Sequence, residues 1–178
     1  MAQAKRKKRF FDVEIPIINK ETNLLAYEKE DLKGRLIKYD LTRFLKGKSM
    51  IFTLVVDVEK DKIVAKPKEM KLMPYFLRRM IRRGTNYVED SFQIECKDAV
   101  LKIKPFLITR RKVSRAVRKT LRENAKKELT SYAKEKTSDV LFEEIIKGLM
   151  QKPLNMKLKK IYPLSLFEIR VLKVEKKK

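Results

Sequence analysis

The residues best suited to chemistry in this sequence are a run of cations between positions 110 and 127. Nine Lys and Arg residues fall within these eighteen positions, and Glu123 is the sole acid among them. Many recur at spacings of three or four residues, which places them along one stripe of a predicted helix. Like charges at this spacing repel, so the stripe is favourable where phosphates neutralise it. The stripe comprises Arg115, Arg118, Lys119, Arg122 and Lys126, and it follows Arg110, Arg111 and Lys112.

Two further groups of cations favour the same chemistry. Residues 78–83 hold four Arg, whose planar guanidinium groups match phosphate oxygens better than a Lys ammonium does. Residues 5–9 are all cationic, and we expect residues 1–9 to form a mobile basic arm, which suits insertion into RNA and a nuclear localisation signal equally well. The alternative for these groups is a solvated surface, or Arg stems that cover the core edge. Their candidate RNA-binding residues are Lys5, Arg6, Lys7, Lys8, Arg9, Arg78, Arg79, Arg82 and Arg83.

The composition favours a polyanionic partner and excludes several kinds of catalytic site. The 178 residues include 46 Lys or Arg and 23 Asp or Glu, which gives a net charge of +23. Nucleic acid and anionic membrane are the partners that such a charge favours. Because the chain has no His and a single Cys, Cys96, it can form no His-containing triad and no Cys-based zinc site. We expect a protein that is not an enzyme, with no metal, no cofactor and no small-molecule substrate.

Two local patterns resemble catalytic motifs but lack the surroundings that those motifs need. Gly47-Lys48-Ser49 matches the end of a phosphate loop, yet Thr42 stands where the loop requires Gly, and a strand follows where it requires a helix. The acidic pairs Glu89-Asp90 and Glu143-Glu144 are the candidates for Mg²⁺ ligands in an RNA-processing enzyme. Adjacent side chains diverge on a strand and converge only partly on a helix, so surface charge is the preferred interpretation.

The apolar pattern gives no sign of a membrane-spanning chain. The longest apolar stretch runs from about Met50 to Val56, far below the ~20 residues that cross a bilayer. The basic N-terminus lacks the apolar core of a secretory signal. A basic amphipathic helix can lie on anionic lipid, but the apolar face of residues 113–132 lacks Trp and Phe and suits packing on a sheet better. We expect a soluble, cytosolic or nuclear protein without a membrane partner.

Hydrophobic periodicity predicts an α+β fold. Alternation in the first half predicts a mostly antiparallel β-sheet or partial barrel, and spacings of three or four residues gather the helices in the C-terminal half. A closing C-terminal strand rejoins the sheet. The predicted organisation is the arm at 1–9, a single α+β domain at 10–174 (β-rich at 10–109, helical at 111–162, closing strand at 166–174) and a basic tail at 175–178.

Several element boundaries follow from turn and cap residues. We expect a strand at 11–17, a polar loop at 20–31, and hairpins at 51–65 and 87–108. Pro74 opens a short helix with Ile81 on its apolar side, and Gly84 stands where a residue would end it. The long helix covers 113–132. Thr137 or Ser138 caps a second helix that buries Leu149, and Pro153 starts a third in which Ile161 aligns with the apolar residues.

Five segments, in their order along the chain, carry a family resemblance. They are Gly34-Arg35 leading to Asp40-Leu41, the run from Tyr75 to Arg83, the turn at Lys97-Asp98, Ala116-Val117-Arg118-Lys119, and Lys159-Lys160-Ile161-Tyr162-Pro163-Leu164 with Phe167-Glu168-Ile169-Arg170. They resemble the archaeal and eukaryotic small-subunit ribosomal protein family S-three-A-e, also called the eukaryotic-type S-one family. The resemblance covers residues 31 to 174. The chain departs from the family in its N-terminal segment, which has Phe10-Phe11 and lacks the usual Trp. It also lacks the long C-terminal tail of eukaryotic members, so it resembles archaeal members.

The resemblance implies a structural constituent of the small ribosomal subunit that acts in translation in the cytoplasm. Its implied partners are the small-subunit ribosomal RNA, near the messenger exit on the platform, and neighbouring platform proteins. Together with the basic clusters, this predicts a non-catalytic RNA-binding ribosomal protein. The alternatives are a chromatin-type DNA-binding protein and an RNA-processing enzyme.

Overall fold

A computed structural model describes residues 7–45, 47–59 and 62–177. Within these residues the chain forms one sheet of nine strands, four α-helices and a 3-10 turn at Glu30–Leu32. The strands are β1 (Arg9–Ile15), β2 (Lys20–Ala26), β3 (Leu36–Asp40), β4 (Met50–Glu59), β5 (Lys62–Leu72), β6 (Tyr87–Glu89), β7 (Phe92–Glu95), β8 (Ala99–Thr109) and β9 (Leu164–Lys177). The helices are α1 (Pro74–Met80), α2 (Arg115–Lys134), α3 (Ser138–Lys147) and α4 (Gln151–Lys159).

The centre of the sheet is the trio β5, β9 and β8, which pair side by side and antiparallel. The free edge of β5 carries β4 and then β3, and the free edge of β8 carries β6 and β7. β1 joins β5 in parallel, with Glu14 opposite Val64, and carries β2 at the edge. Because Thr109 pairs with Leu164 and Lys71 with Val171, the C-terminal ends of β5 and β8 and the N-terminal end of β9 point toward the same end of the sheet.

The late helices cover one face of this sheet. α2 contacts β6, β7 and α4, while α3 contacts β5 and β9. α2 buries Leu121, Ala125, Leu129 and Ala133, which are spaced by four residues and therefore share a face. On α3, Phe142 packs against Phe52 of β4 with ring centroids 5.8 Å apart, and both rings are fully buried. Burial of this kind contributes roughly 1.5–3 kcal/mol for each large apolar side chain.

The α+β class is confirmed, with a mostly antiparallel open sheet, helices mostly in the C-terminal half and a closing strand. The hairpin expected at 51–65 is the pair β4–β5, whose second strand continues to Leu72. The outgoing arm expected at 87–96 is instead two short strands, because Asp90 and Ser91 interrupt the pairing with β8. The closing strand spans Leu164–Lys177 and is longer than the expected 166–174.

The loop expected at 20–31 contains β2, so that prediction is wrong. β2 pairs with β1 along its whole length, from Arg9 opposite Ala26 to Ile15 opposite Lys20. The turn between them is closed by the Ile18 N–H, which donates to the Ile15 carbonyl at 3.2 Å, and by Asn19 at a φ of 52°. An edge strand has one neighbour and a largely solvated surface, so its polar composition hides the alternation that identifies inner strands.

The short helix α1 also ends earlier than expected. Its last residue is Met80, and Ile81 is extended with a ψ of 125° and is exposed. Gly84 is therefore not the helix cap. It has a φ of 80° in a turn where the Thr85 N–H donates to the Arg82 carbonyl at 3.3 Å. Glycine accepts this left-handed conformation without strain. Arg82 consequently lies beyond the helix and not on its exposed side.

Two apolar residues expected in the core are exposed because their helices end before them. Gly148, at a φ of 72°, closes α3, and the next N–H, that of Leu149, donates back to the Glu144 carbonyl at 2.9 Å. This capping arrangement turns Leu149 outward. α4 starts at Gln151, ahead of the expected Pro153, and ends at Lys159, so Ile161 lies outside it and is exposed.

Candidate nucleic-acid interface

The topology brings the two Arg groups to the same end of the sheet. β5 and β6 lie on opposite sides of the β9–β8 pair, so the connection that contains α1 must cross these two strands. This connection carries the Arg group at 78–83. α2 begins shortly after Thr109, the last residue of β8, and the intervening segment carries Arg110 and Arg111. Residues distant in sequence therefore meet at the end where β8 finishes and β9 starts.

Asn86 fixes the two Arg-bearing loops to each other. Its backbone N–H donates to the Thr109 hydroxyl oxygen at 3.1 Å, and the Thr109 N–H donates to the Asn86 carbonyl at 2.9 Å. The Asn86 side-chain oxygen accepts from the Val113 N–H at 2.8 Å. The fully buried Thr109 hydroxyl also donates to the Arg111 carbonyl at 2.7 Å. The segment 110–114 is thus anchored to the residue that follows the Arg82–Arg83 turn.

A third basic segment reaches the same place. The Arg110 N–H donates to the Pro163 carbonyl at 3.2 Å, which brings the end of α4 beside the start of α2. Residues 70–88, 107–122 and 151–167 contain no Asp or Glu. We call this region the basic end. Its members are all exposed, and they are Arg82, Arg83, Arg110, Arg111, Lys112, Arg115, Lys159 and Lys160.

Ion pairing separates the basic end from the rest of the molecule. Among the described residues, no member of the basic end lies within 4.0 Å of a carboxylate. Elsewhere, Lys48 pairs with Glu168 at 2.5 Å and Lys66 with Asp57 at 2.9 Å. Cations left without internal partners at such density repel one another, and phosphates of a nucleic acid neutralise them.

The start of α2 adds to this positive potential. Ser114 caps the helix, and its hydroxyl oxygen accepts from the Val117 N–H at 3.4 Å. The first turn carries Arg115 and Arg118 and no acid. Cations at the positive end of a helix dipole are unfavourable by themselves, whereas an anion is stabilised there. The first turn of α2 therefore favours a bound anion.

The predicted stripe along α2 is not uniform. Arg115, Lys119 and Arg122 are exposed, but Arg118 is half-buried, and its Nε atom is shielded from solvent without a hydrogen bond to the described residues. Lys119 lies 4.0 Å from Glu123, with both side chains well exposed, so this contact is weak. Lys126 turns toward β7, where its Nζ atom lies 5.6 Å from the centroid of the Phe92 ring.

Arg78 and Arg79 occupy the last turn of α1 and are exposed. Cations are favourable at this negative end of a helix dipole. The Arg79 guanidinium lies 5.6 Å from the centroid of the buried Phe76 ring, so this side chain also covers the edge of the core. Arg79 thus matches both interpretations of this Arg group, phosphate binding and coverage of the core edge. Arg78 borders the basic end.

The N-terminal arm is not brought to the basic end. Lys5 and Arg6 lie outside the described residues, while Lys7 and Lys8 are exposed and Arg9 begins β1. The Lys8 Nζ atom lies 5.4 Å from the centroid of the Tyr27 ring. β1 runs parallel to β5, so Arg9 points to the end of the sheet opposite α1.

Three of the four acids that resembled Mg²⁺ ligands pair with cations. Glu89 pairs with Arg170 at 2.6 Å, Glu143 with Lys147, and Glu144 with Lys136. Within the described ranges, no three of the Asp, Glu and Cys side chains come together as metal ligands. In that same part of the chain, none of the helices has both the length and the apolar character that crossing a bilayer requires.

The sequence profile of the Ribosomal S3Ae family matches residues 2–178. The chain belongs to the Ribosomal S3Ae family. It is therefore a ribosomal protein, and the family is not an enzyme class. The sequence pattern did not single out Asn86, Lys159 or Lys160 as interface residues. Lys159 and Lys160 belong to the segment that carried the family resemblance. In the sequence, the signal that could have marked them as interface residues is a pair of cations at the end of a helix.

Archaeal relatives agree with the family assignment. A small ribosomal subunit protein eS1 from Methanothermobacter thermautotrophicus is 38% identical over 95 residues, which cover 53% of this chain and 49% of the relative. The protein of the same name from Saccharolobus islandicus is 27% identical over 179 residues, covering 96% of this chain and 86% of the relative. That from Nanoarchaeum equitans is 25% identical and covers 96% and 90%. The resemblance seen in the sequence is confirmed.

Proposed function

We propose that the chain is a structural component of the small ribosomal subunit and binds the small-subunit RNA through its basic end. The observation that carries this proposal is the set of exposed cations that Asn86 and Thr109 hold together without internal carboxylate partners. Phosphate contacts supply affinity and orientation, and the shape of the folded RNA supplies specificity. The protein acts in the cytoplasm on the ribosome.

Membership of the family supports a position on the platform, near the messenger exit and the 3′ end of the small-subunit RNA, beside other platform proteins. The acid-containing edge at β1 and β2 is then available for neighbouring proteins. RNA occupies the basic end in this arrangement.

A sucrose gradient of lysate from cells that make the protein tests the assignment to the small subunit. We expect the protein to migrate with the small subunit and to remain there at moderate salt, because many phosphate contacts act together. Migration at the top of the gradient would contradict the proposal. Migration with DNA would favour the chromatin-type alternative.

Tethered hydroxyl-radical probing tests the position and orientation on the RNA. Cys96 is the single Cys of the chain and is buried, so one added Cys supplies the reactive thiol for an iron chelate. We expect Lys112→Cys, at the basic end, to direct cleavage to RNA near the 3′ end of the small-subunit RNA. The matched variant Lys38→Cys, exposed on β3, should direct little cleavage. Equal cleavage from both positions would contradict the proposed orientation.

A further inference from the structure

Tyr87 is an exposed aromatic residue within the basic end that phosphate binding does not use. It begins β6, directly after Asn86, and its side chain is 50% exposed. Tyrosine is common on strands, so exposure alone indicates nothing about a ligand. The contacts of its ring are stronger evidence for a ligand than its exposure is.

The Tyr87 ring packs against another ring. Tyr87 stacks on Phe106 of β8 with centroids 5.8 Å apart and an interplanar angle of 22°, and Phe106 is buried. Contact with this buried ring restrains the plane of the Tyr87 ring. The half of the side chain that remains exposed then presents a flat, oriented aromatic surface to solvent. A ring fixed in advance loses little conformational entropy when a ligand stacks on it.

Arg-bearing segments adjoin Tyr87 both along the chain and across the strands. Tyr87 pairs across the strands with Ile108, and Arg110 follows two residues later, just beyond the end of β8. Before Tyr87 in the chain, the Thr85 hydroxyl donates to the Arg82 carbonyl at 2.7 Å, which closes the Arg82–Arg83 turn. Asn86, immediately before Tyr87, is held by Thr109 and Val113.

The arrangement suits one kind of RNA element. Every nucleobase has an aromatic face, but in a duplex these faces are covered by neighbouring base pairs, so a side chain can stack on an unpaired base. Cations of the two adjoining segments can hold phosphates next to such a base. We propose that Tyr87 is a stacking site for an unpaired nucleobase of the bound RNA. This inference rests on the proposed function and specifies the class of RNA that the basic end recognises.

Other exposed aromatic residues provide a matched control. Tyr27 is 47% exposed, close to the value for Tyr87, but it lies at the opposite end of the sheet, where Lys8 covers its ring and the neighbouring strands carry acids. Tyr27→Ala therefore removes an equally exposed ring that lies outside the basic end.

Binding of a single-stranded 12-nucleotide RNA and of a duplex of the same length tests the proposal. Tyr87→Ala should weaken single-strand binding about 10-fold and change duplex binding less than 2-fold, since a stacked base contributes ~1–3 kcal/mol. Tyr87→Phe and Tyr27→Ala should bind both RNAs as the wild type does. Tyr87→Leu, which retains apolar contact with Phe106, should reproduce the loss if the alanine variant folds poorly. No loss in folded Tyr87→Leu, or equal loss for both RNAs, would overturn the stacking site.

A fluorescence experiment reports stacking directly. Because the chain has no Trp, Tyr87→Trp supplies a single indole at the proposed site. We expect its emission to be quenched on addition of the single-stranded RNA and to be unchanged for Tyr27→Trp. Binding without quenching would overturn the stacking site and leave the proposed function intact. If the wild type bound neither RNA, the proposed function and this inference would both be wrong.

Discussion

Two regions of the molecule carry charge in opposite ways. Residues 10–45, which include β1, β2 and β3, hold seven acidic and six basic residues, so this region is nearly neutral. Residues 107–122 hold seven basic residues and no acid. Residues 107–122 cover the end of β8 and the first turns of α2, whereas residues 10–45 contribute three strands to the sheet. The net charge of +23 is therefore unevenly distributed along the chain.

The basic end and the β4–β5 hairpin, which adjoins the neutral region, differ in how their charges are satisfied. In the hairpin, Lys66 lies between Asp57 and Glu59 and pairs with both. At the basic end, hydrogen bonds from Asn86 and Thr109 fix the backbone, while the cationic side chains extend into solvent. Internal ion pairs stabilise the hairpin modestly, whereas the cations of the basic end have no such internal partner among the described residues.

The largest effect should come from reversing charge at the basic end. We expect the triple variant Arg110→Glu, Arg111→Glu and Arg115→Glu to bind small-subunit RNA at least ~100-fold more weakly at moderate salt and to lower the salt dependence by about 2–3 counterions. A carboxylate at position 115 suits the first turn of α2, so the fold should be retained. Arg118 is left unchanged because its Nε atom is shielded.

A matched reversal in the nearly neutral region controls for total charge. Lys20→Glu, Lys38→Glu and Arg43→Glu change the net charge by the same amount, and all three side chains are exposed. Binding titrations over a range of salt should show less than about 5-fold loss for this variant, since separated charges are screened beyond ~8 Å. Similar losses for the two triple variants would show that only overall charge matters.

An intermediate effect should follow from loosening the basic end without changing its charge. Asn86→Ala removes the acceptor for the Val113 N–H, and we expect it to lower the free energy of unfolding by about 1 kcal/mol and RNA affinity by roughly 10-fold. Asn86→Asp keeps the acceptor and should retain most of the stability. Denaturant titration and RNA binding check the two effects. Unchanged RNA affinity in Asn86→Ala would show that the loops need no anchoring.

The interface could be predicted from sequence only in part. The cations at 78–83 and 110–122 and the long helix α2 were visible because charge and helical spacing are local properties. The anchoring by Asn86 was not visible, since it depends on a pairing between residues 86 and 109 that the sheet creates. Gly84 shows the same limit. A glycine after a helix is a common cap, but the extended Ile81 had already ended α1.

The strand prediction failed where tertiary context outweighs composition. β4 and β5 alternate clearly because both lie inside the sheet, whereas β2 is polar because it has a single neighbour. The charge contrast across the molecule could not be inferred either. Residues 7–9 are as basic as residues 110–112, yet the parallel pairing of β1 with β5 sends them to the opposite end.

A smaller effect is expected within the β1–β2 hairpin. Glu14 and Glu21 lie directly opposite each other on neighbouring strands, and like charges so placed are destabilising. We expect Glu21→Lys to raise the free energy of unfolding by ~0.2–1 kcal/mol while changing RNA affinity less than 2-fold, although it increases the positive charge. Thermal unfolding and RNA titration check this. A clear gain in RNA affinity would place RNA near this hairpin.

The smallest effect concerns pH and the Lys66 cluster. The hydrogen bond from Lys66 holds the pKa of Asp57 below its ordinary value of 3.8. Hydrogen bonds to Glu59 and Asp57 raise the pKa of Lys66 above 10.5. The Asp57 contribution to stability is present above pH 3.8 and is lost as pH falls through the lowered pKa. We expect Lys66→Met to be less stable than the wild type at neutral pH, with the difference shrinking below pH 3.8. A stability difference between the two proteins that stays constant across this pH range would contradict the assigned role of Asp57. RNA binding by Lys66→Met should equal that of the wild type.

The most direct test of the account is to map where RNA touches the protein. Ultraviolet cross-linking of the wild-type chain to small-subunit RNA, followed by mass spectrometry of the peptides, gives the contacted residues without any substitution. We predict cross-links within residues 75–88 and 107–122, with Tyr87 among them, and none within residues 10–45. Cross-links concentrated in residues 10–45, or spread evenly along the chain, would contradict the claim that the basic end is the RNA-binding surface.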